Sequence, residues 1–153
     1  MVLMLFQLLA GALVSVINIG IHALVTVVAV WIARSAGLRK VVRPRLHLVG
    51  VMMATAAVLQ AAHALEVLVW AWTYAIVQAA PPDSDLLYFA FVNYTTLGYG
   101  DITPVREWRL IGPLTAMNGV LLFGWSAAIL FEFLRKTLDH VGLINDDVIP
   151  RRG

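Results

Sequence analysis

The stretch that decides the fold is Leu86-Leu-Tyr-Phe-Ala-Phe-Val-Asn-Tyr94, followed by Thr95-Thr-Leu-Gly-Tyr-Gly-Asp101. The first part is apolar and aromatic, and at 1.5 Å per residue a helix of nine residues is too short to cross a bilayer. Ser84 or Asp85 can cap its N-terminus. The second part sets two glycines among larger residues, which favours non-helical backbone. Between membrane spans, this pattern predicts a re-entrant half-helix and a loop that lines a watery path.

The flanking sequence has the composition of a membrane protein. Of the 153 residues, 61% are apolar and 13% are charged, and the mean hydropathy is +0.84. Residues 1–33 and 110–131 carry no formal charge, and residues 46–82 carry only Glu66. Each stretch exceeds the roughly 20 residues that a helix needs to cross a bilayer. We therefore expect an all-α integral membrane protein with three spans, at about residues 3–33, 46–78 and 110–134.

The loop charges predict the orientation of these spans. The first connection has five basic residues and no acid: Arg34, Arg39, Lys40, Arg43 and Arg45. Positive loops stay in the cytoplasm, so the N-terminus and residues 79–109 are expected outside and the C-terminus inside the cell membrane. Trp70, Trp72 and Tyr74 near the outer end of the second span, with Trp108 at the start of the third, predict an aromatic belt. The net charge of +2 reflects this topology, and we expect no nucleic-acid partner.

The loop resembles the selectivity filter of potassium channels, usually written T-V-G-Y-G. In this chain the filter comprises Thr95, Thr96, Leu97, Gly98, Tyr99, Gly100 and Asp101. The resemblance extends over residues 46–136 and implies an outer helix, a pore helix, a filter and an inner helix. It implies a homotetramer in the lipid bilayer that conducts K⁺ passively. The K⁺ ligands would be the carbonyls of Thr96, Leu97, Gly98 and Tyr99, with the Thr96 hydroxyl, and the glycines would adopt positive φ.

Two residues depart from the family pattern. Leu97 replaces the commonest valine, but the carbonyl faces the ion, so selectivity is expected to persist. Val92 stands where some bacterial members carry a glutamate that holds the aspartate of the filter, so we expect Asp101 to lack that support. The resemblance divides the chain into an extra helix and basic loop (1–45), the pore domain (46–136) and a short cytoplasmic tail (137–153). The tail is too short for a soluble regulatory domain.

The third span carries the candidate gate. Gly119 matches the position of a glycine hinge, although a membrane glycine more often permits close packing, and Gly124 follows five residues later. Matching around the hinge directs four side chains toward the pore: Val120, Phe123, Ala127 and Phe131. Phe123 and Phe131 could form a hydrophobic constriction. Glu132 could concentrate cations at the inner mouth, or it could pair with Lys136 four residues later.

Ionisable side chains within the spans indicate a second functional region. Glu66 follows His63 by three residues on one helical face, and His22 lies in the first span. One hypothesis places Glu66 behind the pore helix, near Asn93, Tyr94 or Tyr99. A second makes Glu66 and His63, with or without His22, a proton-sensitive cluster. A third is a neutral Glu66–His63 pair that only orients two helices.

A potassium-selective channel is the function that these patterns favour. A weakly selective cation channel is an alternative, but Tyr99 argues against it. Another alternative is a non-conducting membrane adaptor whose active surface is the first span. The sequence allows two roles for that span: it packs on the outer helix, or it binds a partner. No nucleotide-binding, metalloprotease or hydrolase motif occurs in the sequence, so we expect no enzyme.

Overall fold

The computed structural model describes residues 2–37 and 43–140. In chain order the elements are α1 (Val2–Gly37), α2 (Pro44–Val77), α3 (Leu86–Tyr94), a 3₁₀ turn (Arg106–Trp108) and α4 (Ile111–His140). Across these two ranges no residue lies in a β-strand. The helices α1, α2 and α4 are each long and apolar enough to cross a membrane. The predicted all-α membrane fold with three spans and a short helix between the second and third is therefore confirmed.

The helix ends follow from local chemistry. Pro44 stands in the first turn of α2, where its missing N–H leaves no hydrogen bond unmade. The same helix stops at Gln78, which adopts a left-handed conformation with φ 52°. Helix α4 continues to His140, so the first four residues of the predicted tail are helical. The tail from residue 141 onward lies outside the described residues, as do Arg39 and Lys40 of the basic connection.

Helix α1 packs against both α2 and α4 of its own chain. Near its N-terminus, Gln7 Oε1 accepts a hydrogen bond from the Leu110 N–H at 3.0 Å. One turn later Gly11 lies so close to α4 that a Cβ there would stand 2.5 Å from Leu114 Cδ1. Buried Asn18 donates to Asn118 Oδ1 at 3.0 Å. The sequence allowed the first span to pack on the outer helix, and in the structure α1 does contact the outer helix, α2. It also contacts the inner helix, α4, which the sequence did not indicate.

The short helix α3 lies against α2 and α4. Trp70 and Tyr74 of α2 are fully buried in the core between these helices. The Trp70 indole Nε1–H donates to Asn118 Oδ1 at 3.0 Å, and Tyr74 Oη lies 2.6 Å from Thr115 Oγ1. The prediction that Trp70 and Tyr74 belong to an aromatic belt is therefore wrong. Residues four apart share a helical face, so both face inward, while Trp72 between them is 74% exposed.

Candidate functional site: the pore loop and a buried histidine cluster

The pore loop, residues 95–101, begins from a well-anchored helix. Asp85 caps α3, because its Oδ1 accepts the Tyr88 N–H at 3.0 Å. At the other end, the Leu97 N–H donates to the Val92 carbonyl at 2.9 Å. Beyond the loop, the Val105 N–H donates to the Ala79 carbonyl at 2.8 Å, which ties the returning chain to the end of α2. These bonds hold the loop between fixed points on α2 and α3.

The backbone of the pore loop alternates in handedness. Thr96, Gly98 and Gly100 have φ of 61°, 58° and 78°, and the residues between them have negative φ. Such alternation turns successive carbonyls toward one side, as rings of ion-coordinating carbonyls require. A Cβ on Gly98 would meet nothing nearer than Thr96 O at 3.9 Å, so the need for glycine is conformational. The sequence indicated the two glycines but not left-handed Thr96, a strained position for a β-branched residue.

Asp101 receives support that the sequence did not predict. The Tyr88 hydroxyl donates to Asp101 Oδ2 at 2.7 Å, from one turn before Val92 on the same helix. This bond lowers the pKa of the Asp101 carboxyl below its ordinary value and raises the pKa of Tyr88. As expected, Val92 brings no carboxylate to Asp101. The Tyr88 hydroxyl holds Asp101 instead of a glutamate at position 92. The sequence contained a signal for this bond, because Tyr88 lies four residues before Val92 and so on the same face of the helix.

Gly119 of α4 is buried against the last residue of the pore helix. A Cβ built on it would lie 2.0 Å from Tyr94 O, which is far too close for two heavy atoms that are not bonded to each other. Gly124, by contrast, has no heavy atom within 4 Å of such a Cβ. Close approach of α4 to α3 is thus sufficient reason for a glycine at 119. A hinge at either position stays a prediction.

The other gate candidates lie on an uncovered face of α4. Val120, Ala127 and Phe131 are exposed in the single chain. Phe123 is partly covered, because its ring packs 4.7 Å from the His63 ring and 5.3 Å from the Tyr94 ring. Their orientation toward a pore stays a prediction.

Glu132, the gate candidate nearest the end of α4, has two cationic partners on its own helix. It accepts hydrogen bonds from Arg135 Nε and Nη2 at 3.0 Å each, and Lys136 Nζ lies 3.0 Å from its Oε1. The pairing alternative of the sequence analysis is therefore present within the subunit. These cations neutralise much of the charge that would attract ions to an inner mouth.

Behind the pore loop, three ionisable side chains meet in the interior. Glu66 and His22 are fully buried and His63 is 8% exposed. His22 Nδ1 lies 2.8 Å from Glu66 Oε1, and His63 Nδ1 lies 3.0 Å from Glu66 Oε2. We call these residues the histidine cluster. One ring nitrogen from each histidine and one Glu66 carboxylate oxygen, the atoms that could bind a metal ion, all lie within 4.8 Å of one another.

The histidine cluster touches the pore helix and the inner helix. The Tyr94 hydroxyl donates to Glu66 Oε2 and lies 2.9 Å from His63 Nδ1. Ser126 Oγ lies 2.9 Å from His63 Nε2 and 3.3 Å from His22 Nε2. Of the hypothesised neighbours of Glu66, the structure brings Tyr94 into contact. It also brings His22 into contact with Glu66, beside His63. The proton sensitivity of these three residues stays a prediction.

Sequence reasoning missed Ser126, although a signal for it was present. Thr115, Asn118 and Ser126 are all buried polar residues of α4, spaced three and eight residues apart. These spacings place them on one face of the helix. A polar stripe of this kind in an apolar span indicates partners on the neighbouring helices, and all three residues have them.

Comparison with known proteins agrees with this geometry. The sequence model of a family described as ion channel matches residues 62–136, from α2 through the pore loop to α4. No curated protein and no solved structure matches the chain. The match begins one residue before His63 and ends at Lys136, so it contains the whole pore loop and leaves α1 outside. Residues 62–136 therefore match the ion channel family over the part of the chain that holds the pore helix, the pore loop and most of α4.

Proposed function

We propose that the protein is a potassium-selective channel in which four copies of the chain surround one pore. The observation that carries the proposal is the alternation of positive φ at Thr96, Gly98 and Gly100 directly after a capped pore helix. With four chains, the carbonyls of residues 96–99 form stacked rings that replace the water around K⁺. Ions move passively from ring to ring, driven by the electrochemical gradient and by mutual repulsion.

The exposed state of the loop supports assembly. Every residue from Thr95 to Asp101 is exposed in the single chain, including Leu97 at 53% and Tyr99 at 68%. Carbonyl groups that accept no hydrogen bond cannot face lipid, so the loop needs protein on one side and water on the other. Four copies around an axis satisfy both requirements, because neighbours cover the side chains while the carbonyls face the ions.

The loop charges support an orientation for this pore. The basic connection between α1 and α2 belongs in the cytoplasm, which places the pore loop toward the outer face of the cell membrane. The N-terminus is then outside and the end of α4 is inside. In this orientation the carboxyl end of α3 points inward toward a central cavity, where its dipole favours a cation. Val120, Phe123, Ala127 and Phe131 line the inner path, and Gly119 or Gly124 is where α4 would bend.

A flux assay on purified protein in liposomes tests the proposal. We expect K⁺ efflux, with Na⁺ flux at least tenfold lower, and we expect Gly98→Ala to abolish the difference because alanine resists positive φ. Gly50→Ala is the matched control, since a Cβ there meets no atom within 4 Å and Gly50 lacks positive φ. Equal K⁺ and Na⁺ flux would indicate a weakly selective channel. No flux from folded protein under any gradient, voltage or pH would instead favour the adaptor.

A further inference from the structure

The histidine cluster holds a buried carboxyl group that, when it is ionised, needs a positive partner. Among the described residues, the ion-pair partners of Glu66 are His22 and His63, and neither a lysine nor an arginine reaches it. An isolated carboxylate in an apolar interior is costly, and a neutral imidazole offers it only a dipole. The site therefore has the electrostatics of a cation site.

The hydrogen bonds at Ser126 are compatible with a metal ion as that cation. Each imidazole directs Nδ1 to Glu66 and Nε2 to Ser126 Oγ. If both Nδ1 atoms carried the proton, both Nε2 atoms would be acceptors, and the single Ser126 proton could serve only one. If both Nε2 atoms carry it, the two lone pairs of Ser126 Oγ can accept both bonds. In that state two Nδ1 lone pairs face the carboxylate, and a metal ion between them would bind all three groups. An imidazolium, which donates from both nitrogens, is the other cation that could pair with Glu66, and a chain that binds no zinc would favour it.

We infer that His22 Nδ1, His63 Nδ1 and the Glu66 carboxylate form a binding site for a divalent transition-metal ion of the zinc class. Imidazole nitrogen and carboxylate oxygen are the ligands that Zn²⁺ takes at about 2.0–2.2 Å. Ligand atoms around a tetrahedral ion stand ~3.3 Å apart, so the present 2.8 and 3.0 Å separations open slightly on binding. Ser126 then orients both imidazoles through their Nε2–H groups, as outer partners of metal-bound histidines do.

The Tyr94 hydroxyl is the nearest candidate for a fourth ligand. It lies 2.9 Å from His63 Nδ1 and bonds to Glu66, so it borders the position of the ion. The surroundings are apolar, with the Phe123 ring 4.7 Å from His63 and the Trp125 ring 5.5 Å from His22. Bound metal would link α1 and α2 to the residue that precedes the pore loop.

Metal content tests this site independently of ion conduction. The full chain, purified in detergent with chelator, is equilibrated with Zn²⁺ and desalted, and its zinc is measured by mass spectrometry. We expect one ion per chain, and at least a tenfold loss of affinity in His22→Asn, His63→Asn and Glu66→Gln. His47→Asn is the matched control, because His47 lies in the first turn of α2 outside the cluster. Ser126→Ala should still bind one ion at saturation, but 10–100-fold more weakly.

Cobalt substitution covers the case in which a variant does not fold. Co²⁺ bound to the wild-type chain should show the strong visible absorption of a tetrahedral ion, and Zn²⁺ should displace it. Tyr94→Phe should weaken or shift that absorption while binding persists. Negligible zinc in the folded wild-type chain, or equal zinc in the wild type and Glu66→Gln, would overturn the proposal. Because neither readout involves K⁺, the metal site can fail while the channel stands, and the reverse.

Discussion

Gly119 and Tyr94 are in contact through their backbones, with no room for a side chain between them. A Cβ at position 119 would lie 2.0 Å from the Tyr94 carbonyl oxygen and 3.0 Å from its carbonyl carbon. These atoms belong to the C-terminus of the pore helix, which leads directly into the pore loop. The inner helix and the start of the loop are therefore held together by a contact that only glycine permits.

Gly119→Ala is expected to destabilise the protein. Overpacking a tight contact typically costs about 1–3 kcal/mol, and here the obstacle is backbone that cannot rotate away. Thermal unfolding of the detergent-purified protein, followed by tryptophan fluorescence, measures the effect. Gly124→Ala is the control and should lose no stability, because a Cβ there meets no atom within 4 Å and alanine favours a helix. A hinge without a packing role would give the opposite pattern, with unchanged unfolding and altered channel opening.

Tyr88→Phe is expected to raise the pH at which acid abolishes K⁺ flux through the pore loop. The bond from Tyr88 lowers the pKa of Asp101 below its ordinary value of 3.8, so the stabilisation is present above that value and disappears as the pH falls through the lowered pKa. Without the hydroxyl, the pKa of Asp101 rises, and acid loss of K⁺ flux shifts upward in pH. Flux into liposomes across pH 3–6 measures the shift. Superimposable profiles for wild type and Tyr88→Phe would show that the bond does not support conduction.

Asn18→Leu is expected to loosen α1 from the rest of the subunit. Buried Asn18 donates to Asn118 Oδ1 at 3.0 Å and to the Glu66 carbonyl at 3.3 Å. Removing a donor from buried acceptors costs about 1–3 kcal/mol, so the unfolding temperature should fall. Ile17→Ala, at a position that is 46% exposed, should change it little. Equal behaviour of the two variants would mean that α1 contributes little to the subunit and would favour a partner-binding role for it.

The elements of this fold could be read from the sequence because their causes are local. A run of apolar residues long enough to cross a bilayer predicts a span wherever it occurs, and the pore helix Leu86–Tyr94 begins and ends as the pattern indicates. The glycines at 98 and 100 predict positive φ without reference to any neighbour. The continuation of α4 to His140 was missed, because charged residues mark the end of a membrane span but do not end a helix.

The candidate site could be predicted only in part, because its contacts depend on how helices pack. Glu66 and His63 are three residues apart, and their pairing follows from helical spacing. His22 lies 44 residues from Glu66, and Ser126 lies 104 residues from His22. Trp70 was placed at the membrane surface because its residue type is common there, whereas its indole N–H meets Asn118 in the core. Residue type predicts a preference, and the partner that satisfies it comes from another helix.

By itself, the sequence determined a three-span membrane chain with a re-entrant helix and a loop similar to a potassium filter. Hydropathy, helical rise and glycine conformation act within a few residues, so no tertiary structure was needed. Only the tertiary structure decided that Tyr88 holds Asp101, that Gly119 admits the pore helix, and that two histidines enclose Glu66 behind the loop. The reason is that the rotation and depth of each apolar helix are set by packing against the others, which a hydropathy pattern does not encode.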